Sequence, residues 1–267
     1  MLLVAGTVRA QRTPTILTGP AAAQRFVHNG TPIHPFCLDF PFERSSRGAP
    51  KALDTCTSDD VTVTDSADWR RADYPAAQGR GNISYRVLAS IGSRFLVATE
   101  MWGGGSGEFS NLFWIRLGDR QIAIERDLAG GDRCAGGPSN YTVDRSSVRF
   151  DVSTTAQDII TLTGVALSDS VRDRLPSAYA ACDGEAAYRY DLATGTKRLS
   201  SLTLDADIAA TGSSESSGSA GSTQDPQLCF DALVRRYVAQ DRRVLSPAEL
   251  QAFGRAFVTR CARYAGA

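Results

Sequence analysis

Between residues 83 and 163 apolar positions come in short runs rich in β-branched and aromatic side chains, bounded by Gly or Asp. The runs at 83–90, 94–101, 109–117, 121–128, 147–153 and 158–163 predict strands. Connections as short as Ile91-Gly92-Ser93 and Gly118-Asp119-Arg120 predict antiparallel neighbours. Taking residues 103–107 as a hairpin loop fixes a register. Trp102 then falls opposite Glu108, Met101 opposite Phe109, Thr99 opposite Asn111, Val97 opposite Phe113 and Phe95 opposite Ile115. The alternate face sets Glu100, Ala98 and Leu96 against Ser110, Leu112 and Trp114. Away from the loop both faces are apolar, whereas a strand wet on one side alternates cleanly. This hairpin is therefore predicted to be central, with something packed on each side.

Residues 11–60 read differently. Thr18-Gly19-Pro20, Asn29-Gly30, Thr31-Pro32, His34-Pro35, Phe40-Pro41 and Ala49-Pro50 are turn signals, and proline at that density argues against helix. Loops and short edge strands are expected there. A short helix is expected around 168–175, ended before Pro176, followed by a hairpin of 188–192 and 197–204 about Ala193-Thr194-Gly195-Thr196.

Residues 211–225 are Ser/Gly-rich, the composition of a flexible linker. Period-four positions return after it. Cys229, Leu233 and Tyr237 mark one helix. Ser246-Pro247-Ala248-Glu249 is a capping box with proline at the first helical position, and Leu250, Phe253, Phe257, Cys261 and Tyr264 form a single apolar stripe. Residues 241–245 are the turn between the two helices. The predicted fold class is mainly β, an antiparallel sandwich or open barrel, with a C-terminal α-helical hairpin. The predicted organisation is a residual signal peptide at 1–10, a disulfide-stapled β domain at 11–210, the linker at 211–225 and the helical hairpin at 226–267.

The six cysteines, Cys37, Cys56, Cys134, Cys182, Cys229 and Cys261, include no close pair of the kind structural zinc uses. An even, widely spaced set fits three disulfides. Antiparallel helices joined at 241–245 bring Cys229 opposite Cys261, a bond worth roughly 3–4 kcal/mol in the chain-entropy model. Proximity pairs Cys37 with Cys56, which leaves Cys134 for Cys182. Structural disulfides belong to oxidising compartments, so a periplasmic or secreted location is expected. Met1-Leu2-Leu3-Val4-Ala5-Gly6 and the small residue Ala10 before Gln11 agree, as the tail of a signal peptide that begins upstream. Only Lys51 and Lys197 are lysines among the 29 basic residues, a bias typical of GC-rich bacterial genomes.

Composition narrows the function classes. With 42% hydrophobic and 22% charged residues in 267, the chain is globular. Formal net charge is zero, 29 basic against 29 acidic residues, which removes the bulk electrostatic argument for nucleic acid. No run approaches the roughly 18 apolar residues of a membrane span. Residues 225–267 hold seven arginines and four acids, a net +3 that leaves −3 elsewhere. That asymmetry predicts that the hairpin docks on the β domain.

The candidate chemistry centres on Trp102-Gly103-Gly104-Gly105-Ser106-Gly107-Glu108. The run has no Gly-Lys-Ser/Thr and no following helix, so it is not a phosphate loop. It does not match a nucleophile elbow either. It reads as an exposed recognition loop with Trp102, Gly104, Gly105, Ser106 and Glu108 as contacts. Glu100 and Glu108 share a face and are the only paired carboxylates that suggest hydrolysis. His28 and His34 flank Pro32 at a spacing that is not helical, and both read as structural. The five aspartates between Asp59 and Asp73 lack the order of a calcium loop and read as a solvated loop. No metal or cofactor is implied. The expected function is a non-enzymatic binding protein for a protein or envelope partner, inhibition of a cell-wall hydrolase being one form. The rivals are a secreted hydrolase using Glu100 and Glu108, and a structural envelope component acting through the helical hairpin.

Overall fold

The strands on either side of residues 103–107 form the middle of the molecule. The computed structural model describes residues 15–40, 49–58, 61–66, 68–77, 79–175, 182–205 and 226–261. The proposed signal-peptide tail at 1–10 and the linker at 211–225 lie outside the described residues. The strands are β1 (Ile16–Thr18), β2 (Val27–His28), β3 (Thr31–Pro32), β4 (Lys51–Ala52), β5 (Thr62–Ser66), β6 (Trp69–Ala76), β7 (Gly79–Ile91) and β8 (Arg94–Trp102). They continue as β9 (Glu108–Leu117), β10 (Gln121–Asp132), β11 (Pro138–Val143), β12 (Ser147–Thr154), β13 (Gly184–Asp191), β14 (Thr196–Leu204) and β15 (Val244–Leu245). The helices are α1 (Pro20–Ala23), α2 (Ala156–Leu162), α3 (Asp169–Arg172), α4 (Pro226–Ala239) and α5 (Pro247–Cys261).

The first sheet has the order β4-β10-β9-β8-β7-β6-β5, with β1 added to β7. The pairing of β8 with β9 follows the register predicted from the sequence, Trp102 with Glu108 through Phe95 with Ile115. Its two faces bury different cores. Phe95, Val97, Phe113 and Ile115 pack under the N-terminal segment, against Phe26, Ile33, Leu38 and Leu53. The Cys37–Cys56 disulfide lies in this layer. Leu96, Ala98, Leu112 and Trp114 pack the other way, against Val148, Phe150, Tyr190 and Leu192 of the second sheet. Across that contact Trp114 Nε1 donates to Tyr190 Oη at 2.7 Å. The molecule is an antiparallel β-sandwich with helices.

The second sheet, β11-β12-β13-β14-β15, has one apolar face. Val148, Phe150 and Val152 stand opposite Tyr190, Tyr188 and Ala186, and Ala186 stands opposite Leu202. The first sheet covers the Val148–Tyr190 end of this face. The helices cover the Ala186–Leu202–Leu204 end with Phe230, Leu233, Leu250, Phe253 and Phe257. Tyr188 packs against both clusters. The reverse face carries exposed Arg149, Arg189 and Arg198 and is the wet side of the sandwich.

The C-terminal helices dock by more than charge. Their connection contributes β15, whose Leu245 and Val244 pair with Leu202 and Thr203 of β14. Arg243 Nε donates to the Leu204 carbonyl at 3.0 Å, and the Arg242 guanidinium sits 4.5 Å from the Tyr237 ring centroid. The capping box of α5 is present: the Ser246 backbone N–H donates to Glu249 Oε2 at 2.9 Å. Cys229–Cys261 and Cys134–Cys182 complete three disulfides, paired as the sequence spacing predicts. Among the described residues no helix is long and apolar enough to cross a membrane.

Three sequence expectations are corrected. The segment 11–60 does hold a short helix, α1, because Pro20 stands in its first turn, where a missing N–H costs nothing. Residues 158–163 form most of α2 and not a strand. Thr155 and Asp158 make a reciprocal capping box, and Ala156, Ile159 and Ile160 bury at helical spacing in the helix-side core. The β-branched composition of Ile-Ile-Thr-Leu-Thr masked that period. The aspartate-rich stretch after residue 60 is not a loop: β5 and β6 pair along it, with Asp65 bridged to Arg70 and Asp73 to Arg71.

Candidate functional site

A groove of about 450 Å³ opens at the loop end of the β8–β9 hairpin. The register that buries Leu96, Ala98, Leu112 and Trp114 carries the same face past the edge of the second sheet, where Glu100, Trp102, Glu108 and Ser110 emerge. These four line the groove together with Asn82 of β7. The far wall is Arg133, beyond β10, with Pro138 and Ser139 of β11.

The loop that joins Trp102 to Glu108 is tied down on several sides. Trp102 Nε1 donates to the Gly105 carbonyl at 2.5 Å. Arg133 Nη2 donates to the Ser106 carbonyl at 2.6 Å, and the Glu108 backbone N–H donates to Asp132 Oδ1 at 3.1 Å. Gly104 sits at φ +84°, a conformation that side-chain-bearing residues rarely adopt. The segment that holds the loop is itself compact. A Cβ on Gly131 would lie 1.7 Å from the Ala135 carbonyl oxygen, so only glycine permits that turn. Cys134 is bonded to Cys182 at the start of β13, and the Gly136 N–H donates to the Ser153 carbonyl of β12 at 3.0 Å. The loop is thereby braced against both sheets.

Among the predicted contacts, Trp102 (36% exposed) and Glu108 line the groove. Gly104, Gly105 and Ser106 lie in the loop between Trp102 and Glu108 and are not among the lining residues. The groove also takes in Glu100, Asn82, Arg133 and Ser139. The Gly130-Gly131-Asp132-Arg133-Cys134-Ala135-Gly136-Gly137 run was the available signal for Arg133. The approach of β7 and β11 left no local trace in sequence.

Loss of water around the Glu100 carboxyl and the charge of Glu108 push its pKa above the ordinary glutamate range, against the pull of Arg71. Tyr141 of β11 is pushed up by burial and by the charge of Glu100, and its Oη donates to the Pro138 carbonyl at 2.9 Å. The histidines lie elsewhere. His34 Nδ1 accepts from the Phe36 N–H at 3.2 Å and caps a 3₁₀ turn, while His28 Nε2 is 3.1 Å from Asp54 Oδ1. Among the described residues no three His, Cys, Asp or Glu converge as a metal site. No family model, curated protein or solved structure matches the chain.

Proposed function

We propose that this chain is a non-enzymatic, disulfide-stapled binding protein that works in the periplasm or outside the cell and engages a protein or envelope partner at the groove beside the 103–107 loop. The observation that carries this reading is the bracing of the loop by Trp102, Arg133 and Asp132. A loop held in one shape presents the Trp102 indole without the entropy cost of ordering it on contact. Three disulfides support a place in an oxidising compartment.

The test is quantitative binding of the oxidised protein to a partner captured from envelope extract and then purified. Trp102→Ala is expected to weaken binding at least tenfold, about 1.4 kcal/mol, as truncation of an aromatic anchor does. Its unfolding midpoint should barely move, because the ring is at the surface. Unchanged affinity overturns the reading. The raised pKa of Glu100 beside Glu108 favours a second reading, a hydrolase with Glu100 as general acid. Turnover of peptidoglycan fragments or oligosaccharides that disappears in both Glu100→Gln and Glu108→Gln would put that reading first.

A further inference from the structure

The groove holds two carboxylates, Glu100 and Glu108, and one arginine, Arg133. Glu100 and Glu108 emerge from the two strands of one hairpin on one face, diagonal to each other across the Trp102–Glu108 and Glu100–Ser110 pairs. Among the described residues no side chain hydrogen-bonds or ion-pairs with either carboxylate. Arg71 acts on Glu100 by charge alone, and it and Arg133 give their hydrogen bonds to other oxygens. Arg71 clasps Asp73 through Nε and Nη2 at 2.9 and 2.7 Å, and Arg133 Nη2 is given to the Ser106 carbonyl. Asp132, which accepts the Glu108 N–H, adds further negative charge at the same end. With three carboxylates, Glu100, Glu108 and Asp132, against Arg133 at this end, a further cation is favoured there.

The walls say what kind of cation. Trp102 is exposed, and its indole edge is pinned to the Gly105 carbonyl, so the ring is held in place at the rim. An indole face attracts organic cations, Arg and Lys head groups above all. Two carboxylates are too few for calcium, which takes six to eight oxygens. The groove is also small, about 450 Å³, room for one side chain or a polyamine end and not for a folded segment.

We propose that the groove binds an organic cationic head group, a guanidinium or alkylammonium held between Glu100 and Glu108 and covered by the Trp102 indole. This rests on the binding reading above. The head group belongs either to a basic side chain of the partner or to a free polyamine.

The test is an NMR titration that follows the Trp102 indole N–H at low ionic strength. The probes are N-acetylarginine amide, its neutral counterpart N-acetylcitrulline amide, spermidine and methyl glucoside. Saturable binding of the arginine amide is expected, at least tenfold tighter than the citrulline amide. It should weaken at least tenfold in Glu100→Gln and in Glu108→Gln, with amide spectra showing both variants folded. Spermidine binding more tightly than the arginine amide assigns the groove to a free polyamine; the reverse order assigns it to a basic side chain. Equal binding of arginine and citrulline amides, no effect of either glutamine variant, or saturation by the glucoside alone overturns the proposal. Partner capture that depends on Trp102 while all cation probes stay silent would sink this inference and leave the binding reading standing. Cation binding with no effect of Trp102→Ala on partner capture would do the opposite.

Discussion

Among the described carboxylates, Asp183 is the one whose titration burial displaces furthest. It is buried at the head of β13, where the Ala156 N–H at the start of α2 donates to its Oδ2 at 2.6 Å. Gln227 of α4 hydrogen-bonds the same carboxyl, and the charges of Asp231 on α4 and Asp205 after β14 face it. Desolvation first, then those two carboxylates, push its pKa from 3.8 up to about 6. The folded state therefore takes up a proton before the unfolded chain does. This contribution to stability is fully present below about pH 4 and is lost as pH rises through 6, by about 3 kcal/mol for a shift of that size. Asp183→Asn keeps an acceptor for Ala156 and removes the charge. Urea unfolding should show the variant gaining on the wild type between pH 5 and pH 7.5. A difference between the two that does not change with pH would refute the assignment. The sequence hid this residue, because Cys182-Asp183-Gly184 reads as an ordinary approach to a strand.

At the scale of elements, α5 shows a local preference set against packing. Gly254 lies inside the helix, where alanine would ordinarily be better by about 1 kcal/mol. A Cβ at Gly254 would meet Thr163 Oγ1 at 2.4 Å and Thr163 Cβ at 2.5 Å, at the C-terminal end of α2. Thr163 is itself buried, and its Oγ1 donates to the Ile160 carbonyl at 2.6 Å, so it cannot swing aside. The clash outweighs the propensity. Gly254→Ala is expected to destabilise by about 1–3 kcal/mol in urea titration. A stabilised variant would mean that α5 is free to lift off α2. Helix α2 itself was legible only through Thr155-x-x-Asp158 and the spacing of Ala156, Ile159 and Ile160; composition pointed to a strand. The β8–β9 hairpin, by contrast, could be read residue by residue, because its loop glycines and period-two faces agree.

For the whole molecule, the second sheet shares one apolar face between its sandwich partner and the helices. No disulfide joins the chain before 211–225 to the chain after it, since Cys229 pairs with Cys261 within the helical hairpin. The two parts are held by the apolar cluster of Phe230, Phe253, Phe257, Leu202 and Leu204 and by the β14–β15 pairing. Protease cleavage within 211–225 is expected to leave two pieces that elute together at low and at high salt and separate only in denaturant. Salt screens exposed ion pairs and leaves apolar burial intact. Separation in high salt alone would return the docking to the arginines.

The sequence by itself determined what short range controls. Turn glycines and alternation set the β8–β9 register, capping residues set α5, and the antiparallel helical hairpin set the Cys229–Cys261 pairing. The tertiary structure alone decided which distant surfaces meet: the N-terminal segment over Phe95 and Ile115, the helices over Leu202 and Leu204, and Arg133, Asn82 and Ser139 around the carboxylates of Glu100 and Glu108. The physical reason is that hydrogen-bonded periodicity is local and directional, whereas apolar burial is neither. An apolar face announces in sequence that it will be covered, and any apolar partner of fitting shape satisfies it.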